Sequence, residues 1–309
     1  MAAERPPILV TGAGGFVGQA LVRALAPHHR VIATDRTNLD CAGLSSVSAL
    51  PGEIDDPALV AQLTAEPLSA IIHLATIPGG AAETDPALAA RINVAAPMAL
   101  IDAAAAHGNA PRLLFASSIA VFGEPLPAHV DDDTLVRPML RYGAHKAMME
   151  EWIATLTRRG GVRGLSLRLP GIVARPMAPS GMKSAFLSNL FHAIKAGEPI
   201  TLPVSAQATC WLLSRRALTG QLVAALDLKN DPASRRLNLP ALRVRIGDLV
   251  AEVARQTGHE AALVGYAPDP AIEAAFGCQP PLTTFAADAL GLHHDGSLAA
   301  LVDHALADL

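Results

Sequence analysis

The feature that most constrains this chain lies at its start. Ile8-Leu9-Val10 is a short apolar run of the kind that forms a buried strand. It leads directly into Thr11-Gly12-Ala13-Gly14-Gly15-Phe16-Val17-Gly18 and then into an amphipathic stretch that predicts a helix over 16–26. Gly12, Gly15 and Gly18 recur at every third position. Without a Cβ they allow a tight reversal and close backbone approach, while the opening turn of the helix presents uncapped N–H groups. A strand, a glycine turn and a helix in that order make the first half of a βαβ unit, which excludes an all-β sandwich or a helical bundle.

The rest of the first half repeats the pattern. Apolar runs at Val31–Asp35, Ala70–Ala75, Leu113–Ser117 and Leu165–Leu169 predict strands. Helical periodicity at Pro57–Ala65, Pro86–His107 and Tyr142–Arg158 predicts the crossovers. The expected fold is α/β, a doubly wound parallel sheet, with ligands bound beyond the carboxyl ends of its strands. Composition agrees: 51% of the 309 residues are hydrophobic, enough for a large core, while aromatics are only 4%. After Leu169 the prolines at 170, 176, 179, 199 and 203 break the alternation. Helices are expected at Ser184–Ala196, Arg216–Leu228, Ile246–Thr257 and Gly296–Ala307, and a rim loop with a short helix between Pro268 and Pro281. The division expected is a dinucleotide-binding domain over 1–170 and, over 171–309, a small lobe that returns segments to the first domain.

The glycine spacing is one residue wider than the G-x-G-x-x-G dinucleotide fingerprint, but the physics is shared, because the helix N-terminus favours a pyrophosphate. Asp35 ends the second strand. A carboxylate there accepts hydrogen bonds from both adenosine ribose hydroxyls and repels a 2′-phosphate, which points to NAD over NADP; the adjacent Arg36 pulls the other way. Tyr142 and Lys146 stand four apart on one helix face. The ammonium favours the tyrosinate, and so makes a usable base of a group that ordinarily titrates near 10. Ser117-Ser118 closes the preceding strand and offers a hydroxyl to the same reacting oxygen.

Other classes are disfavoured. The net charge of −4, with no run of like charge, gives nucleic acid no basic face. Cys41, Cys210 and Cys278 are far apart and read as buried thiols of a reducing compartment. No metal set is expected: His28-His29 and His293-His294 read as solvated pairs, His145 points off the Tyr–Lys face, and Asp131-Asp132-Asp133 reads as a solvated acidic loop. The start of the chain is too short and polar for a signal peptide, and no uninterrupted apolar stretch reaches membrane length. A cytoplasmic protein with no membrane partner is the expectation.

TGAGGFVG, Asp35, His73-Leu74-Ala75, Asn93, SSIAVFG from Ser117 and YGAHK together make the chain resemble the extended short-chain dehydrogenase/reductase family along essentially its whole length. The resemblance implies a Rossmann-type fold with a small C-terminal substrate-binding lobe, and an alcohol–carbonyl redox reaction. It implies that Ser118 orients the substrate oxygen, Tyr142 serves as base or acid, and Lys146 binds the nicotinamide ribose. Asn93 would support the lysine or a nearby water. Gly12, Gly15, Phe16, Val17 and Gly18 would hold the pyrophosphate, with Glu53 and Ile54 flanking the adenine. Leu74, Ala75, Thr76, Ser117, Pro170 and Ile172 would line the cofactor.

The runs RYGAHK, LRLPGIVARP, CWLLSRRAL, RRLNLP and YAPDPAIEA are similar to a sugar-acid branch of the family, and imply a small hydroxy or sugar acid as substrate. Arg175 suits its carboxylate. Thr76 would contact a hydroxyl, and Trp211 with Arg215 would form a wall. The loop after Arg175-Pro176 is expected to decide the substrate. Two alternatives stand beside this reading: an epimerase or dehydratase that keeps NAD bound and acts on a nucleotide sugar, and a broad carbonyl reductase. Pro170-Gly171 stands where nucleotide-sugar members carry an asparagine. A homodimer through the helices at 86–107 and 142–158 is also implied.

Overall fold

The computed structural model describes residues 5–37, 39–177 and 183–309. Its strands are β1 (Ile8–Thr11), β2 (Val31–Thr34), β3 (Val47–Ala49), β4 (Ala70–His73), β5 (Arg112–Ser118), β6 (Arg163–Leu169), β7 (Gly171–Ile172), β8 (Ile200–Leu202), β9 (Thr209–Leu213), β10 (Arg236–Asn238), β11 (Leu242–Arg245) and β12 (Val264–Tyr266). Its α-helices are α1 (Phe16–Leu25), α2 (Pro57–Leu63), α3 (Gly79–Thr84), α4 (Pro86–Ala90), α5 (Ala96–Ala105), α6 (Arg141–Arg158), α7 (Phe186–Ala196), α8 (Arg215–Leu226), α9 (Ile246–Thr257), α10 (Pro270–Phe276), α11 (Phe285–Asp288) and α12 (Leu298–Leu306).

Two compact units share the chain. The first is Met1–Val121, Pro138–Arg168 and Thr219–Leu237; the second is Phe122–Arg137, Leu169–Leu218 and Asn238–Leu309. The division is therefore not one cut at 170. The first unit takes back 219–237 because β10 extends its sheet.

That sheet has seven strands in the order β10-β6-β5-β4-β1-β2-β3. β1 pairs in parallel with β2 and with β4, β2 with β3, and β4 with β5. The chain runs outward from β1 to β3 and then restarts at β4 on the other side. The strand order reverses between β1 and β4, where sheets of this kind leave a ligand crevice at the carboxyl ends. Leu9, Ile71, Leu113 and Phe115 pack with Leu100, Ile101, Met149 and Ile153 to make the core.

The helix expected over 86–107 is in fact α4, a π-helical turn at Arg91–Ala95, and α5. Pro97 explains the break. It has no N–H for the carbonyl four residues back, and its ring crowds that carbonyl. The ladder widens instead, with the Ala96 N–H reaching the Arg91 carbonyl five residues back. By length and composition the stretch Pro86–Ala105 is apolar enough to cross a membrane, although Arg91, Asn93 and Asp102 interrupt it. Its Ile92, Ala96, Leu100, Ile101 and Ala104 are spent on the core of the unit.

The second unit holds a three-stranded sheet, β11-β9-β7, and the pair β12-β8. Helices α7, α9 and α12 bury Leu190, Phe191, Leu249, Val253, Leu301 and Val302 in its core. Two expectations need correction here. Only Cys210 is a buried thiol, while Cys41 is half-buried and Cys278 exposed. The acidic run at 131–133 is not merely solvated. Asp131 accepts from the Asp133 N–H and the Thr134 hydroxyl, and Asp132 accepts from the Ala286 N–H at 2.9 Å, so the carboxylates shape their own loop.

Candidate active site

The switch point of the sheet is built by contacts that only glycine permits. Gly12 sits at φ +70°, and a Cβ there would lie 2.7 Å from the Ala75 nitrogen. A Cβ on Gly18 would lie 2.1 Å from the Gly12 carbonyl oxygen, which closes the turn onto α1. Gly15 differs: it is exposed, and its Cβ would meet only the Gly12 oxygen, at 3.2 Å. The outer face of the turn is thus open where the inner face is full. Gly15 caps α1 without a side-chain hydrogen bond, and the first turn of α1 carries no acidic residue. An open glycine face over an uncapped helix start fits the pyrophosphate of a dinucleotide.

Sequence reasoning missed Gly14. A Cβ there would stand 2.5 Å from the Thr37 hydroxyl and 3.1 Å from the Asp35 carboxyl carbon. Asp35 is half-buried and ties the turn to the end of β2. It accepts the Gly14 N–H at 3.0 Å on one oxygen, and the Thr37 N–H and hydroxyl at 3.0 and 2.9 Å on the other. A carboxylate oxygen can accept two bonds, so the oxygen facing Gly14, which takes one, retains a site for a ribose hydroxyl. Arg36 is exposed. Replacing Asp35 by Ala is therefore expected to do two things: loosen the glycine turn, and shift the NAD-to-NADP ratio of kcat/KM toward NADP by about tenfold or more, since one ribose hydrogen bond to a charged acceptor is worth about 1.5–3 kcal/mol. Steady-state rates with the two cofactors check it. Of the residues expected to flank an adenine, Glu53 is exposed and Ile54 is buried in the core.

The segment after β4 is held from below. The Leu74 N–H donates to the Thr11 carbonyl at 3.1 Å. Asn93, buried in the π turn, accepts from the Thr76 hydroxyl and the Ile77 N–H at 3.0 and 2.7 Å and donates to the Ile77 carbonyl at 2.9 Å. The carboxamide is thereby engaged in fixing the loop that carries Thr76. The Thr76 hydroxyl hydrogen is committed to Asn93, which leaves its oxygen as an acceptor only.

β5 delivers Ser117 and Ser118. The Ser118 hydroxyl accepts the Ala120 N–H at 3.2 Å, within the tight turn Ile119–Val121. The Ser117 hydroxyl turns inward, is buried, and donates to Glu150 at 2.5 Å, so only its backbone remains for a cofactor. α6 packs on that turn through Gly143, whose added Cβ would fall 2.2 Å from the Ala120 oxygen. No larger residue lets the helix that carries Tyr142 approach the turn that carries Ser118.

Lys146, one turn further along α6, is 2% exposed. Its ammonium lies 4.7 Å from the Phe115 ring centroid and 5.4 Å from that of Tyr142. Burial pushes the lysine down to about 7, against the opposing pull of Glu150. Beneath it His73 stacks on Phe115 at 5.8 Å and bonds the Thr11 hydroxyl at 2.9 Å. Burial, and then the Lys146 charge, hold His73 down to about 3, so it stays neutral. A positive charge beside the Tyr142 ring favours the phenolate. The arrangement can exchange a proton with a substrate hydroxyl next to a hydroxyl donor, Ser118.

The remaining predicted residues lie in the second unit. Pro170 and Ile172 are buried. Arg175 is half-buried; its Nε donates to the Ile172 carbonyl at 3.0 Å, and its own carbonyl accepts from His192 at 2.7 Å. Trp211 is not a substrate wall. It is 1% exposed and its indole N–H goes to the Pro280 carbonyl at 2.7 Å, which makes it core. Arg215 pairs with Asp308. Of the loop expected to decide the substrate, 178–182 lies outside the described residues.

Comparison with known proteins agrees with the geometry. The sequence profile of the NAD dependent epimerase/dehydratase family matches residues 8–212, and the chain belongs to that family, whose cofactor is a nicotinamide dinucleotide. It is 35% identical over 269 residues to the D-erythronate dehydrogenase of Cupriavidus necator, covering 82% of this chain and 83% of that one. It is 30% identical over 259 residues to the D-erythronate dehydrogenase of Haemophilus influenzae, covering 81% and 82%. Among solved structures, the nucleoside-diphosphate-sugar epimerase from Agrobacterium tumefaciens matches with a TM-score of 0.88 at 29% identity, over 98% of this chain and 94% of that one.

Proposed function

We propose that this protein is an NAD-dependent dehydrogenase that oxidises a secondary hydroxyl of a small hydroxy or sugar acid, of the D-erythronate kind, to the ketone. The observation that carries the reading is the Gly143 contact, which sets Tyr142 and Lys146 against the turn that follows Ser118. In this mechanism Ser118 holds the substrate hydroxyl by hydrogen bonding to its oxygen. Tyr142 takes the hydroxyl proton on its phenolate oxygen. Lys146 stabilises that phenolate before the transfer, and no charge has to be brought in from water. The bound nicotinamide ring supplies the hydride acceptor. Asp35 selects NAD, and the guanidinium of Arg175 is the group whose chemistry suits a substrate carboxylate. The similarity to two D-erythronate dehydrogenases over most of the chain supports the choice of substrate class.

The expected result is formation of NADH, read by its absorbance, with four-carbon sugar acids fastest in a panel of C3–C6 hydroxy acids, sugar acids and simple alcohols. The likeness to a nucleoside-diphosphate-sugar epimerase favours a second reading, in which NAD stays bound and the hydride returns to the intermediate. Silence across the panel from protein that purifies with NAD attached would turn the case to that reading. We also place the enzyme in the cytoplasm, as a homodimer through the helical stretch 86–107 and α6.

A further inference from the structure

Beneath the site lies a buried polar network that the mechanism above does not use. Glu150 stands four residues after Lys146 on α6, hence on the same face. It is 2% exposed, and Arg168 of β6 meets it with two parallel hydrogen bonds, Nε to one carboxylate oxygen at 2.9 Å and a terminal nitrogen to the other at 2.8 Å. The oxygen that receives Nε also receives the hydroxyl of Ser117. Ser117 and Arg168 are themselves 1% and 3% exposed. Three elements that carry or flank the candidate catalytic groups therefore meet on one carboxylate.

Buried ion pairs gain little stability over apolar residues of the same shape, so stability alone does not account for a charged pair at this depth. Its position does. Resting on the dehydrogenase reading, we propose that Ser117, Glu150 and Arg168 form the positioning element of the Tyr142–Lys146 pair. Glu150 supplies a fixed negative charge one turn below Lys146 that keeps the buried ammonium charged. Arg168 locks the direction of that carboxylate. Ser117 ties the strand end bearing Ser118 to the same helix. The surroundings leave this task to Glu150. On elements packed against α6, Glu83 of α3 is engaged by Arg141, and Arg91 of the π turn by Asp55, with Glu83 and Arg91 both exposed. Around Lys146 stand the neutral His73, the Phe115 and Tyr142 rings, Glu150 with Arg168 behind it, and His145 on α6 itself. Burial and then the Arg141 charge lower the His145 pKa, with Lys146 a smaller cause.

The test reads the lysine directly. The chain has four lysines, at 146, 183, 195 and 229, so a pH titration of ε-carbon-labelled lysine by NMR resolves Lys146, identified by the signal lost in Lys146→Met. The variant is the pair Glu150→Leu with Arg168→Met, which leaves neither partner buried alone, with folding followed by circular dichroism. The expected result is a Lys146 midpoint lowered by about one pH unit or more, about tenfold in proton affinity. With it, the acid limb of the kcat/KM profile moves to higher pH, because the phenolate has lost its charged neighbour. Glu150→Gln, which leaves Arg168 positive beside Lys146, should lower the midpoint further and stands in if the paired variant does not fold. Ser117→Ala should keep the midpoint and lower kcat severalfold with little change in KM for NAD. Folded variants with the wild-type midpoint and pH profile overturn the proposal. A wild type that reduces no NAD on any alcohol sinks the dehydrogenase reading instead, and the NMR midpoint still decides this one.

Discussion

Tyr142→Phe is expected to lower kcat by about 10²–10⁴-fold, the usual worth of a positioned acid–base group, while Kd for NAD changes little. The change removes one oxygen from a half-buried ring on α6 and leaves the ring's cation contact with Lys146 in place. The glycine turn and Asp35 are likewise untouched, so cofactor binding serves as the internal control. Cofactor affinity by fluorescence and turnover by NADH formation separate the two effects. A variant that turns over at the wild-type rate would remove Tyr142 from the mechanism and with it the role given to Lys146.

Gly143→Ala should give the second large effect, by geometry alone. The added carbon would stand 2.2 Å from the Ala120 oxygen and 3.0 Å from the Pro138 side chain. Neither backbone can yield without moving the start of α6 or the turn after Ser118. A shift of about 1 Å between reacting groups is enough to cost about 10²-fold in rate, and overpacking typically costs about 1–3 kcal/mol of stability. The expectation is therefore a folded protein with a lowered Tm and kcat/KM down by about two orders of magnitude. Gly220→Ala is the matched control: its Cβ would meet nothing within 4 Å inside α8, so it should be neutral or stabilising by about 0.4–1 kcal/mol. Wild-type kinetics in Gly143→Ala would show that the close approach of α6 is not what sets the catalytic geometry.

What was legible in the sequence follows the reach of each interaction. The strand–turn–helix start and the Tyr142–Lys146 spacing are local patterns, and they stand where expected. Gly14 was passed over because its neighbour Thr37 comes from the end of the next strand, which no local spacing reveals. The edge strands β3 and β10, three residues each, are too short for alternation to register. The break in the long helix was in principle visible at Pro97, but proline near a helix start is ordinarily tolerated. Trp211 in CWLLSRR and the Glu150–Arg168 pair depended on tertiary partners. An apolar run does not tell a wall from a core, and a glutamate on a helix does not announce its arginine partner on the strand that follows.

The return of the chain to β10 has a consequence for evolution and engineering. Ser166 in β6 bonds its N–H to the Arg235 carbonyl at 2.8 Å, and Asp231 gathers Arg112, Arg163 and Arg235 along the same border. A truncated version ending near 170 would leave β6 as a bare edge, ready to recruit another strand and aggregate. The second unit, made of three separate stretches of chain, therefore cannot be exchanged as one cassette at the carboxyl end. Grafts have to enter and leave through several seams, so a lineage changing substrate would do so more readily by point substitution than by recombination.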